Sequence, residues 1–145
     1  MLIELLKKLQ ADTFAYYAKA HYYHWNVEGK DFYQYHKLLE KIYTDAYEAV
    51  DDIAEHIRQM DNFAPGSLAR MVELSEIKED PQIPNTKKMF QNLTEPTKYD
   101  YELLKIIFRY MTEEERDEFR MKIIKSFSYN DLQAIQELAK SIVVI

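Results

Sequence analysis

The sequence predicts an all-α protein built from a few long helices, and three observations carry that expectation. Only two glycines and four prolines occur among 145 residues, too few turn formers for a sheet protein with many hairpins. Apolar residues recur at helical spacing through two long segments, Leu2 to about Val27 and Phe32 to about Met60. A short break, Asn26-Val27-Glu28-Gly29-Lys30-Asp31, separates them. A short loop between two long helices implies an antiparallel hairpin.

The first segment carries Leu2, Leu5, Leu6, Leu9, Phe14, Tyr17 and Ala20 as its apolar set and contains no Gly or Pro. Gly29 fits a helix C-terminus, and Asp31 fits the N-cap of the next helix. That second helix has Leu38, Leu39, Ile42, Tyr43, Ala46, Val50, Ile53 and Ile57 as its apolar set. Asp61 to Pro65 is a stop signal, and Ser67 is placed to cap a short helix running to Glu73. Lys78 to Asn85, with two prolines and several charges, reads as a connecting loop. Helical propensity resumes at Thr86 and is interrupted by Pro96, with Thr94 or Glu95 as the boundary. Further helices are expected over Tyr99 to Met111, Thr112 to Ser126 and about Tyr129 to Val144. Thr112 with Glu115 forms a capping-box pattern that starts the second of these. Residues 1–145 read as one domain.

Composition removes several function classes. With no cysteine, disulfides, thiolate metal sites and cysteine nucleophiles are excluded, so any metal must sit on His, Asp, Glu or Tyr. The N-terminal Met1-Leu2-Ile3-Glu4-Leu5-Leu6-Lys7-Lys8 is amphipathic and lacks the layout of a signal peptide. No segment approaches the roughly 18 apolar residues of a membrane span, so the expectation is a cytoplasmic protein. A net charge of −6 disfavours a nucleic-acid surface, which needs clustered Lys and Arg. It suits the gathering of cations.

Three of the four histidines, His21, His24 and His36, flank the turn of the hairpin. An antiparallel hairpin brings His24 and His36 together, and Glu40, four residues after His36, shares its helix face. Two imidazoles and a carboxylate suit ferrous iron or zinc. Further along lie Asp45, Glu48, Asp51, Asp52 and Glu55. Spacing alone leaves both groups open, as metal ligands or as ordinary hydrogen-bonded and solvated side chains. Asp51 follows His36 by fifteen residues, which at about 1.5 Å per residue is roughly 22 Å along a helix. One metal cannot bind both ends of one chain, and no Glu-x-x-His motif is present to build a dinuclear site inside one bundle. If the histidine and acidic ends serve the same metal, they belong to different subunits, paired about a two-fold axis with two identical sites.

His24-Trp25-Asn26-Val27, Gly29, Phe32 and His36, followed by Asp51, Ala54 and Glu55, resemble the signature of the Dps family, the ferritin-like DNA-protection-during-starvation proteins. The resemblance runs from about residue 10 to residue 77, including Pro65-Gly66-Ser67-Leu68 and Leu74-Ser75-Glu76-Ile77. It implies a ferritin-like four-helix bundle with a short helix in the crossover between helices two and three, usually assembled as a hollow dodecamer. It also implies a ferroxidase that oxidises Fe(II), typically with hydrogen peroxide, and stores Fe(III), limiting oxidative damage. The ligands it implies are His24, His36 and Glu40 from one subunit and Asp51 and Glu55 from its neighbour. Trp25 occupies the position of an aromatic beside that site, able to accept an oxidising equivalent or simply to pack.

Two departures from the family pattern stand out. Glu40 replaces the more usual Asp and reaches about one methylene further. The C-terminal half lacks the family's Gly-Asp turn and later His and Trp, which motivates an alternative expectation: a helical assembly protein that kept the hairpin and lost iron storage. Direct DNA binding is not expected, because no Lys-rich arm is present.

Overall fold

The computed structural model describes residues 2–93, 112–114 and 116–118. Its elements are α1 (Leu2–Asn26), α2 (Phe32–Gln59) and a short α3 (Leu68–Leu74), followed by helical backbone over residues 86–93. No strand occurs among the described residues. The fold class is all-α, as the spacing predicted, and the first two helix boundaries agree with the sequence reading to within a residue. No described helix is long and apolar enough to cross a membrane.

Helices α1 and α2 pack antiparallel along their lengths. The register can be read from ring contacts: His24 meets His36 near the turn, and Tyr17 meets Tyr43 and Tyr47 further along. Leu6, Leu9, Ala49, Ile53 and Ile57 are fully buried. Nearer the turn Ala20, Tyr23, Val27 and Leu39 join Met89 and Leu93 of the 86–93 helix in one cluster. The apolar stripes of the three helices therefore close on each other at the end that holds the histidines.

The turn depends on Gly29, whose φ of +116° is open to glycine and strained for other residues. Asp31 departs from the expected cap. Its φ and ψ are −99° and 24°, outside the extended region from which a side chain reaches back to the first N–H groups, and it makes no side-chain cap bond. Backbone carbonyls serve instead, Gly29 accepting from Phe32 and Asp31 from Tyr35, both at 3.2 Å.

α2 ends in a Schellman motif. Asp61 N–H donates to the Arg58 carbonyl at 3.0 Å and Asn62 N–H to the Ile57 carbonyl at 3.3 Å, with Asp61 at φ 57°. Ser67 caps α3 as expected, its hydroxyl accepting from Arg70 N–H at 3.2 Å. The crossover is fastened to α1 at several points. Gln10 Nε2 donates to the Pro65 carbonyl at 2.8 Å. Asp12 Oδ1 accepts from Ser75 Oγ at 2.9 Å and Glu76 N–H at 2.8 Å. Beyond them Asp80 accepts from Tyr23 and from Asn92 at 3.3 Å. Asn85 then caps the 86–93 helix, its side chain accepting from Lys88 N–H at 2.9 Å. The expected interruption at Pro96 and the helices over 99–111 and 129–144 lie outside the described residues. Of the helix expected from Thr112, the described part is helical, with Arg116 N–H bonded to the Thr112 carbonyl at 2.9 Å.

Candidate metal centre

His24 and His36 are brought into direct contact, one from the last turn of α1 and the other from the first turns of α2. Their rings stack at 3.7 Å between centroids and 19° between planes. Each ring reaches across to the other residue's backbone: His24 Nδ1 donates to the His36 carbonyl and His36 Nδ1 donates to the His24 carbonyl, both at 2.8 Å. A carbonyl can only accept, so the proton of each neutral ring sits on Nδ1 and Nε2 keeps its lone pair. Backbone carbonyls on Nδ1 are the usual means of orienting a metal-binding imidazole. Phe32 also stacks on His36, at 4.9 Å between centroids.

Glu40 is partly exposed and takes a hydrogen bond from Lys37 Nζ at 2.8 Å. That ammonium, with smaller contributions from His24 and His36, holds its carboxyl below the usual value. Glu40 is thus an ionised carboxylate within the field of both rings, shared with a neighbouring cation.

Asp51 and Glu55 are exposed on the far part of α2, fifteen and nineteen residues past His36 on the same helix and so too far to share a metal with it. Among the described residues, no three His, Asp or Glu of one chain gather as a metal-holding set. Asp45 lies between the two groups, its carboxyl raised by burial. Trp25 is 63% exposed and touches His21 at 4.2 Å. Burial and the nearby His24 hold the His21 ring below its ordinary pKa.

Lys37 and Tyr43 are not singled out as site residues by the sequence, and Phe32 enters there only as a signature residue. Phe32 and Lys37 carried legible signals, since Phe32 is four residues before His36 and Lys37 three before Glu40, both same-face spacings on a helix. Tyr43, which meets His24 edge-on at 5.0 Å, carries in the sequence only the signal of an apolar core position.

The ferritin-like domain family model matches residues 3–142. The DNA protection during starvation protein of Helicobacter pylori is 36% identical over 97 residues, covering 66% of this chain and 67% of that protein. Three further curated relatives are matched along only 45% to 63% of their own lengths. Among solved structures, Helicobacter cinaedi CAIP superposes with a TM-score of 0.73 at 28% identity, over 99% of this chain and 96% of that one. The Dps protein of Vibrio cholerae, described as one of the ferritin-like diiron-carboxylate proteins, superposes at 0.72 and 22% identity, over 99% and 85%. The chain therefore has the ferritin-like bundle fold and belongs to the Dps family of ferritin-like proteins.

Proposed function

We propose that the protein is a ferroxidase that oxidises Fe(II), with hydrogen peroxide as oxidant, and sequesters Fe(III) in a closed homo-oligomer. The observation that carries this reading is the reciprocal pair of Nδ1–carbonyl bonds between two stacked rings, which leaves each Nε2 with a lone pair to offer a metal. Beside them Glu40 supplies a carboxylate that remains ionised. Two imidazoles and a carboxylate form a donor set suited to ferrous iron.

In this reading His24, His36 and Glu40 bind the incoming Fe(II), and Lys37 gives up Glu40 as the cation arrives. Asp51 and Glu55 of the partner subunit complete the site across a two-fold axis, because their own chain holds them too far away. Carboxylates from the partner stabilise the higher charge of Fe(III) and favour loss of the electron. The diiron-carboxylate description of the Vibrio cholerae relative supports the same chemistry. In cells the role is protection, by removing ferrous iron and peroxide together.

Anaerobic loading with Fe(II) followed by hydrogen peroxide tests it. Wild-type protein gives a rapid ferric absorbance, and His36→Ala and Asp51→Ala each lose the fast phase. Fast oxidation that survives in both variants sinks the assignment. A wild-type protein that stays colourless sinks the function itself and leaves the assembly-protein alternative.

A further inference from the structure

Six residues of α2, Lys37, Lys41, Thr44, Glu48, Asp51 and Glu55, are exposed and recur at alternating spacings of four and three. At 3.6 residues per turn they fall within an arc of about 80°, so they form one stripe along the helix. Its charges are sorted by sign. The lysines lie toward the histidine end, the carboxylates toward the far end, and an uncharged threonine stands at the change-over. Lys37 bonds Glu40 of its own chain, and Lys41 is near enough to Asp45 to favour its ionised form. Among the described residues, Lys41, Glu48, Asp51 and Glu55 enter no salt bridge.

Like charges three or four residues apart on a helix repel. Lys37 against Lys41, and Glu48, Asp51 and Glu55 among themselves, therefore work against the helix that carries them. A merely solvated face gains nothing from such sorting, since mixed signs at the same spacings attract. Sorted charges become favourable when the reverse order lies alongside, and the stripe supplies that order itself. Positions 37 and 55, 41 and 51, and 44 and 48 are each symmetric about position 46. Turned end for end, the stripe sets every lysine opposite a carboxylate.

We propose that this stripe is a self-complementary docking face that pairs with the same stripe of a second copy, antiparallel about a two-fold axis at the level of Ala46. Lys41 then meets the partner's Asp51 and Lys37 the partner's Glu55, each contact occurring twice per dimer. The ligands assigned to α2 place the axis at the same level. His36 and Glu55, and likewise Glu40 and Asp51, are symmetric about a point between positions 45 and 46. That second line of support rests on the ferroxidase reading above; the charge order does not. The pairing also sets a cation beside the partner's Asp51 and Glu55 while no metal is bound, which offsets the repulsion between carboxylates gathered at one site.

Sedimentation of chelator-treated protein over a dilution series tests the pairing. Lys41→Glu and Asp51→Lys each raise the concentration of half-dissociation about tenfold or more. The double variant returns it toward wild type, because the swapped charges face each other again. Added salt loosens wild type and tightens Lys41→Glu, since it screens attraction in one and repulsion in the other. Circular dichroism shows that all the variants are folded. Cross-linking reads the register directly, because the chain has no cysteine of its own. Lys37→Cys reassembled with Glu55→Cys is joined by a short bifunctional thiol reagent. Either variant alone holds its two thiols roughly 27 Å apart and is not joined. Lys41→Glu protein that assembles like wild type, a double variant no tighter than the single ones, or a mixture that fails to cross-link overturns the docking face. Any of these in an iron-oxidising wild-type background leaves the ferroxidase reading standing. Intact pairing in a wild type that oxidises no iron overturns that reading and leaves the docking face.

Discussion

At the scale of single residues, an imidazole is fixed in tautomer and direction as a ligand when its second nitrogen is committed elsewhere. His24 and His36 commit theirs to each other's carbonyls, so the backbone that forms the hairpin also sets the direction of both donors. Glu40 differs, since its carboxylate is held by Lys37 and must be released to bind a cation. Asp12 shows the cost of burying a carboxylate, even with Lys8 near enough to lower its pKa. It is fully buried on α1, Oδ1 is satisfied by Ser75 and Glu76, and Oδ2 has no hydrogen-bond partner among the described residues. Burial, partly offset by the Glu76 and Ser75 hydrogen bonds, raises its carboxyl above the ordinary 3.8. With the folded value above the unfolded one, the folded state takes up this proton first as pH falls. The contribution to stability is therefore fully present below 3.8 and lost as pH rises through the folded value. Asp12→Asn keeps an acceptor for Ser75 and Glu76 but cannot titrate. Urea midpoints at fixed protein concentration are expected to show wild type gaining on Asp12→Asn between neutral pH and about pH 4. A constant difference across that range removes Asp12 as the titrating group.

At the scale of elements, the end of α2 sets where the crossover begins and hence where α3 can dock. Its stop is a left-handed residue, and that residue is Asp61 rather than glycine. Asp tolerates this conformation better than most residues because its short polar side chain bonds locally. Asp61→Ala is expected to destabilise the protein by about 1 kcal/mol, and Asp61→Gly to match or exceed wild type. Chemical denaturation checks the order, and an Asp61→Ala protein as stable as wild type contradicts the strain argument. Much of this level was legible in the sequence. Uninterrupted apolar periodicity marked α1 and α2, and Ser67 marked α3, because these signals are local. The Asp31 cap failed because a cap depends on the φ and ψ of the residue, which the Gly29 turn decides. The reciprocal histidine bonds were illegible for a related reason. Spacing brings two residues to the same end of a hairpin, but which ring nitrogen meets which carbonyl depends on the separation and register of the helices.

At the scale of the whole molecule, the divided site makes a quantitative claim about assembly. His36 and Asp51 are roughly 22 Å apart along one helix, and the proposed two-fold axis pairs each with the other's counterpart on a second copy. Exposed apolar side chains on all three helices, Trp25, Tyr47, Leu68 and Val72 among them, offer such a copy surface to cover. Consider dimers reassembled from equal amounts of His36→Ala and Asp51→Ala protein. Each homodimer carries the same lesion in both sites and is inactive. In a mixed dimer both lesions fall in one site, and the other receives His36 from one chain and Asp51 from its partner, both intact. Random pairing makes about half the dimers mixed, so about a quarter of wild-type fast oxidation returns. Differential tags verify the mixing, and the two unmixed variants give the baseline. Verified mixed dimers that recover no activity show that the histidine and acidic ends do not meet across the axis.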